Sequence, residues 1–178
     1  ACLAALGLAH GRFQRVCAAV FGACFTWVYF SDVTWYLNHA YFISCVSLLM
    51  VFVPMNTRTV PRWAVWLIRA QLGCVYFFAG LAKCQSDWLL DAQPLRIWLP
   101  ANDDFPLLGP LLALPVTAYV MSWAGAFFDL TVPFWLSWKK ARPYAYAVVV
   151  GFHAMTGMLF QIGMFPWLMI ASTPVFFE

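Results

Sequence analysis

Long runs without charge are the feature of this sequence that most restricts its fold. Residues 16–31 contain no charged side chain, and residues 143–177 contain no ionisable group apart from His153 and tyrosines. Such runs are typical of segments that cross a bilayer, at about 20 residues per helix. Charged residues make up only 10% of the 178-residue chain, against about 25% in ordinary soluble domains, which is too few to cover a soluble surface. The sequence therefore predicts an all-α fold, a polytopic transmembrane helix bundle that is a multi-pass integral membrane protein.

Prolines and charged residues divide the apolar sequence into segments. The predicted segments are helices at 13–30, 37–54 and 61–82, a mixed polar and aromatic segment at 84–104, and apolar stretches at 105–138 and 143–177, the last splitting near 161–166. The 84–104 segment mixes Asp and Arg with Trp, Leu and Ile, which is typical of an amphipathic segment at the membrane interface. Residues 1–9 span half a crossing, so we expect the end of a helix whose beginning is missing.

Three basic clusters agree with this topology. Along the predicted helices, the clusters at residues 12–15, 58–62 and 139–142 fall on one side of the membrane, and the acidic residues of the 84–104 segment fall on the other. This distribution obeys the positive-inside rule. The formal net charge of +3 is too small to suggest a nucleic-acid partner. The expected partners are membrane lipids, and other membrane subunits stay open.

The six cysteines show no ligand pattern. They form no Cys-x-x-Cys pair and no Cys/His spacing typical of a metal site, and most lie inside apolar runs. We therefore expect buried thiols that act as small apolar residues, and no metal.

Four ionisable residues in or next to the apolar segments are the candidates for function: His39, Lys83, Asp129 and His153. Such a group costs at least about 2.5 kcal/mol at the centre of a bilayer and usually faces a cavity or a partner. Their predicted depths, at about 1.5 Å per helical residue, allow three or four of them to line one cavity.

Two interpretations of these residues stay open. Burial disfavours the ammonium form of a lysine, so Lys83 could take a proton from a phenol-like substrate, or it could extend to the interface from a helix end. The two histidines could instead make interhelical hydrogen bonds, and Asp129 could be a structural partner of a Trp, Tyr or Ser. The aromatic content of 19% fits interfacial belts and helix packing, or a pocket for a flat lipophilic ligand such as a quinone.

A resemblance to a known family narrows these interpretations. The run Tyr76–Lys83, YFFAGLAK, followed by Asp87-Trp88, resembles a signature of the membrane domain of the vitamin K-dependent gamma-carboxylase family and its bacterial-type branch, the HTTM domain. The further blocks that resemble the family are Asn38-His39, Asp129-Leu130, Phe152–Met155, Leu159–Phe165 and Ala171–Pro174. The blocks occur in the family order over residues 30–178.

The resemblance implies a membrane enzyme that oxygenates reduced vitamin K, a naphthohydroquinone, to its epoxide. In the family, the strong base formed in that step removes a γ-proton from a protein glutamate, which then adds carbon dioxide. By resemblance, Lys83 is the base that deprotonates the hydroquinone, His39 stabilises the developing charge, and His153 is the third catalytic residue. The expected substrate-binding residues are Asn38, Asp129, Tyr76 and Phe160. The expected cofactor is reduced vitamin K or a related quinol.

Departures from the family keep a second function open. Family members continue into a large extramembrane domain that handles the glutamate substrate. We therefore interpret residues 1–178 as a single HTTM-like transmembrane domain without that part and without the family's first helix. One hypothesis is a quinol epoxidase for which carboxyl transfer is doubtful. The alternative is a non-catalytic subunit of a larger membrane complex, which has a structural role or holds a lipid or pigment.

Overall fold

The computed structural model describes residues 1–11, 13–32, 38–54 and 59–177, with the backbone alone at Asn38. Within these ranges the secondary structure is helical, without strands, which confirms the all-α prediction. The α-helices are α1 (Cys2–Ala9), α2 (Gln14–Phe30), α3 (Asn38–Phe52), α4 (Arg62–Ala82), α5 (Ser86–Leu89), α6 (Leu95–Trp98), α7 (Gly109–Leu112), α8 (Pro115–Ser137), α9 (Arg142–Leu159) and α10 (Phe165–Ser172). Two 3-10 helices, Pro100–Asn102 and Thr173–Phe176, follow α6 and α10.

Prolines account for several helix starts. α8 begins at Pro115, and Pro143 and Pro166 are the second residues of α9 and α10. Proline lacks the N–H that a first helical turn leaves unpaired, and its φ angle already fits a helix. Prolines also divide the apolar stretch 105–138, which contains the short α7 and the long α8 rather than one helix.

The chain folds as two compact units, unit 1 (Ala1–Gln71) and unit 2 (Leu72–Glu178). In unit 1, α2 packs against both α1 and α3. Gly22 of α2 lies close to α3, because a Cβ atom at this position would be 3.2 Å from the Cβ atom of Ser47. Small residues at such a crossing are typical of helices that associate in lipid. Close packing of α2 against α3 at this glycine therefore stabilises unit 1.

Unit 2 is built around α8, which contacts α9 and the short helices α5, α6 and α7. The buried face of α8 carries Ala118, Ser122, Gly125, Asp129, Val132 and Leu136. Their alternating spacing of four and three residues places them on one side of a helix. α9, which packs against α10, buries Ala145, Val149 and His153 in the same way. α8 also contains Pro133 in its interior.

The segment predicted to lie at the interface, 84–104, contains α5, α6 and the first 3-10 helix. Leu95 and Leu99 are buried in a core cluster of unit 2 that includes residues of α8 and α9. Leu90 and Ile97 are 66% and 65% exposed. The segment is thus two-sided, with one face on the core of unit 2 and an open face that mixes apolar and charged side chains.

One helix in the described ranges, α4, is long and apolar enough to cross a membrane. Only 28% of its apolar window is buried inside the protein. A core helix of a soluble protein would be mostly covered, so the exposure of α4 agrees with a lipid environment. The larger number of crossings expected from the sequence stays a prediction.

The cysteines differ from expectation. Cys2, Cys24, Cys74 and Cys84 are exposed, and Cys17 and Cys45 are half-buried. The prediction of buried thiols is therefore wrong. The physical reason is that these helices are apolar on their outer faces as well, so an apolar run does not indicate burial inside the protein.

Candidate functional site

The part of α4 in unit 2 presents one face to the core. Leu72, Tyr76 and Gly80 are buried at intervals of four residues, and Lys83 follows one turn later. Gly80 is the point of closest approach to α8, since a Cβ atom there would lie 2.7 Å from the backbone nitrogen of Leu130. A side chain at this position would push the two helices apart. The glycine therefore brings the end of α4 against the turn of α8 that carries Asp129.

Lys83 and Asp129 form an ion pair across this contact. The distance from Lys83 Nζ to Asp129 Oδ2 is 2.6 Å, and the two side chains are 21% and 7% exposed. Lys83 Nζ also donates a hydrogen bond to the carbonyl of Ala79, at 3.3 Å. Asp129 is therefore the ion-pair partner of Lys83, and within the described residues no hydrogen bond joins its carboxylate to a Trp, Tyr or Ser, the structural partner of the alternative interpretation.

Two hydrogen bonds join α5, in the polar segment after α4, to α8 next to this ion pair. The indole N–H of Trp88 donates to the carbonyl of Ser122 at 2.9 Å, and the Ser122 hydroxyl donates back to the carbonyl of Trp88. Lys83 Nζ lies 5.1 Å from the centre of the Trp88 ring, within the range of a cation–π interaction. Trp88 therefore forms one wall around the ammonium group.

His153 and Tyr76 form a second buried pair. Tyr76 Oη and His153 Nε2 share a hydrogen bond of 3.1 Å, and both residues are 2% exposed. The hydroxyl of Thr173, which donates to the carbonyl of Met169, also lies in hydrogen-bonding reach of Tyr76. The other imidazole nitrogen, Nδ1 of His153, is buried and has no hydrogen-bond partner among the described residues. It is a donor in one tautomer and an acceptor in the other.

Aromatic rings surround this histidine. Phe128, Phe152 and Phe165 meet the imidazole edge-on at centroid distances of 6.1, 5.3 and 5.8 Å. Tyr76 meets Phe128 in the same manner at 5.8 Å. Edge-to-face contacts of this kind orient rings well. The imidazole is thus held in a defined orientation by its neighbours.

The two pairs belong to one electrostatic site. Tyr76 lies on α4 and Lys83 directly follows the end of this helix, and Phe128, which precedes Asp129 in α8, contacts the rings of both Tyr76 and His153. A cation, a carboxylate and an imidazole nitrogen without a partner therefore lie together in apolar surroundings, where charges interact more strongly than in water. Such a set is suited to binding an oxygen-bearing aromatic molecule and moving its proton.

The structure brings together four of the residues singled out from the sequence, Tyr76, Lys83, Asp129 and His153. His39 lies in the first turn of α3 in unit 1, and the side chain of Asn38 lies outside the described residues. Phe160 packs against Trp98 at 5.6 Å and beside the core cluster of unit 2. The roles expected for these last three residues stay predictions.

Ser122, Trp88 and Thr173 were not identified as site residues from the sequence. Ser122 carries a recognisable signal, because it lies seven residues before Asp129 and therefore on the same face of α8. Trp88 is part of the block Asp87-Trp88 that resembles the family, but the sequence does not indicate its contacts with Lys83 and Ser122. Thr173 lies in the block Ala171–Pro174 that resembles the family, but its position beside Tyr76 depends on the packing of the C-terminal segment.

Unit 1 contains a separate apolar groove of about 430 Å³, lined by Gly22, Ala23, Thr26, Trp27, Phe30, Ser31 and Leu48. The Ser31 hydroxyl donates to the carbonyl of Trp27, and Thr26 Oγ1 is buried without a hydrogen-bond partner in the described ranges. The groove holds no charged side chain. The described residues also contain no group of three or more His, Cys, Asp or Glu placed to hold a metal ion.

Helical secondary structure, one apolar helix of spanning length in the described ranges and a partly buried ion pair agree with a helical, membrane-associated protein. The family model of the HTTM domain matches residues 1–178, the whole sequence, and the chain belongs to the HTTM domain family. This is a membrane-associated family linked to vitamin K-dependent carboxylase. No solved structure matches the chain.

Proposed function

We propose that this chain is a multi-pass membrane protein that binds a lipophilic hydroquinone, such as reduced vitamin K, in unit 2 and deprotonates it for oxygenation. The observation that carries the proposal is the ion pair of Lys83 and Asp129, with a distance of 2.6 Å, beside the buried His153. Membership in the HTTM domain family supports it independently. The apolar exposed surface, with Trp27, Trp167 and Leu107 more than half exposed, supports insertion in lipid.

The residues present fit a hydroquinone substrate. Its hydroxyl hydrogen can be accepted by the carboxylate of Asp129, and Nδ1 of His153 is a buried polar atom that has no partner among the described residues. Phe128, Phe152 and Trp88 supply flat apolar surface near these groups. The reaction consumes one hydroquinone and one O2 and yields one quinone epoxide and one water. The protein contributes deprotonation and stabilisation of the resulting anion.

The proposal is tested by measuring the conversion of quinol to epoxide by the protein in lipid vesicles. Purified protein in vesicles is supplied with reduced vitamin K and O2, and the epoxide is measured by chromatography. We expect product from the wild type and a loss of at least about 100-fold in Lys83→Gln, which removes both charge and basicity. Asp91→Asn, a change at an exposed aspartate, is the control. Full turnover in Lys83→Gln would remove Lys83 from the mechanism, and a wild type that neither binds nor converts the quinol would end the proposal.

One observation favours the alternative function, a subunit that holds a lipid or pigment. The groove of unit 1 has a volume of about 430 Å³, within the range of about 300–1,000 Å³ for ligand sites. Isolation from the native membrane tests this function. A subunit should migrate with a large complex in fixed proportion and carry a bound lipophile that Trp27→Ala releases.

A further inference from the structure

Either Lys83 or Asp129 of the ion pair could receive a proton from the substrate. Asp129 Oδ2 lies 2.6 Å from Lys83 Nζ, and the carboxylate is 7% exposed. If Lys83 lost its proton before the substrate bound, the carboxylate would be left as a buried charge without its partner. Uncompensated buried charges are strongly unfavourable. The geometry therefore favours an ammonium at Lys83 and a carboxylate at Asp129 in the resting site.

Both members of the pair keep a free position for a substrate oxygen. Lys83 Nζ uses two of its three N–H donors, on Ala79 and Asp129. Asp129 accepts through Oδ2, and within the described part of the chain its Oδ1 accepts no hydrogen bond. One hydroxyl group can thus donate to Oδ1 while its oxygen accepts from the third donor of Lys83.

We propose, on the basis of the proposed function, that Asp129 is the proton acceptor for a phenol-type substrate and that Lys83 remains an ammonium that holds the resulting anion. The substrate O–H bond breaks, and an O–H bond forms on Oδ1 of Asp129. Lys83 keeps its three protons throughout. The negative charge moves from the carboxylate to the substrate oxygen, so the site neither gains nor loses net charge. This transfer avoids the cost of creating a new buried charge.

The surroundings of the pair agree with this assignment. Trp88 faces the Lys83 ammonium at 5.1 Å and favours a cation at that position. His153, from α9, and Tyr76, from α4, are titratable groups near the pair, since the ring of Phe128, next to Asp129 in α8, contacts both. They are hydrogen-bonded to each other. They therefore do not replace Asp129 as the hydrogen-bond partner of Lys83.

Two substitutions separate this assignment from a lysine base. Arginine keeps the cation but does not release a proton in proteins, so Lys83→Arg should keep quinol turnover within about tenfold of the wild type. Asp129→Asn, which keeps the shape but not the basicity, should lose at least about 100-fold. Asp129→Glu should retain more activity than Asp129→Asn, and Asp91→Asn should be unchanged. If Lys83→Arg is as inactive as Lys83→Gln while Asp129→Asn stays active, Lys83 is the base and the inference is overturned.

Infrared difference spectroscopy provides a readout that does not need turnover. The probe is a nitronaphthol, at a pH where it is neutral in bulk water, added to purified protein in detergent. We expect the spectrum of the bound anion together with the carbonyl band of a protonated carboxyl group, in the wild type and in Lys83→Arg. The band should shift in D2O and be absent in Asp129→Asn. Asp129→Glu should restore it, which guards against an Asn variant that does not fold.

The outcomes separate the two proposals. A probe that binds as an anion without the carboxyl band overturns the role of Asp129 and leaves the proposed function standing. A wild-type protein that does not bind the probe, or binds it only as the neutral phenol, overturns the proposed function and the inference with it.

Discussion

The two units of the chain differ in how some of their buried polar side chains are paired. In α2 and α3 of unit 1, Thr26 Oγ1 and Ser44 Oγ are buried without a hydrogen-bond partner among the described residues. Unit 2 instead joins polar side chains of different segments, as in the pairs Lys83–Asp129 and Tyr76–His153.

The contrast separates two uses of polar residues in an apolar protein. Small hydroxyl residues occupy little volume, so they permit close helix packing even without partners. Charged and ring side chains cost more to bury and must be paired. We therefore expect changes in unit 2 to affect stability and chemistry strongly, and hydroxyl removal in unit 1 to have little effect.

The largest effect is expected from breaking the ion pair. Asp129→Leu leaves the Lys83 ammonium without its partner and should lower the free energy of unfolding by about 3 kcal/mol, somewhat less than for a fully buried pair because Lys83 is 21% exposed. The double variant Lys83→Met/Asp129→Leu should recover most of this loss. Unfolding in detergent micelles, followed by circular dichroism, measures both. A double variant no more stable than Asp129→Leu would show that the pair is not the cause.

The next effect concerns the close approach of α4 and α8. Gly80→Val places side-chain atoms where a Cβ atom would already lie 2.7 Å from Leu130, and it should cost about 1–3 kcal/mol by overpacking. Gly151→Ala, at a helical glycine with open space around it, is the matched control and should stabilise by about 0.5–1 kcal/mol. The same unfolding measurement applies. Equal stability of the two variants would contradict the close contact.

A smaller loss of stability is expected when a hydrogen bond between α5 and α8 is removed. Ser122→Ala removes the hydroxyl that donates to the carbonyl of Trp88, so the cost should be about 1–2 kcal/mol. The comparison is Ser137→Ala, where an exposed hydroxyl donates to a carbonyl of its own helix and a loss of less than about 0.5 kcal/mol is expected. The free energy of unfolding of the two variants in micelles measures the difference.

The smallest effect is expected in unit 1. Ser44→Ala removes a buried hydroxyl that has no partner in the described ranges, so the variant should be as stable as the wild type or more stable by about 0.5 kcal/mol. Thermal unfolding in micelles measures this shift. A loss above about 1 kcal/mol would mean that the hydroxyl of Ser44 is bonded in the membrane, and the contrast between the units would then disappear.

Much of the fold follows from local features of the sequence. The predicted segments 13–30, 37–54 and 61–82 correspond to α2, α3 and α4 within one or two residues at most ends, because charges and prolines interrupt the apolar runs where helices end. The division of 143–177 near residue 161 corresponds to the gap between α9 and α10.

The sequence predicted which residues belong to the candidate site, but it did not predict which of them pair with each other. Lys83, Asp129 and His153 stand out because each is ionisable within apolar sequence. That Asp129 pairs with Lys83 and His153 with Tyr76 depends on the crossing of α4 with α8 and on the packing of α9. Such contacts join residues 46 and 77 positions apart, so helical periodicity does not determine them. The cysteines show a failure of local sequence context. They lie in apolar runs, but this context did not predict that they are exposed or half-buried.

The proline inside α8 has a mechanical consequence for the carboxylate. Pro133 lies four residues after Asp129 and has no N–H, so it cannot make the hydrogen bond that a helix normally forms to the backbone carbonyl of Asp129. The Pro133 ring lies near Gly73 of α4, where a Cβ atom would be 3.7 Å away. α8 therefore lacks one backbone hydrogen bond in the turn that carries its buried charge, which makes a bend there less costly than in a regular helix. The carboxyl group can tilt by a small bend of this turn while the glycine contact at residue 80 keeps the helices in register.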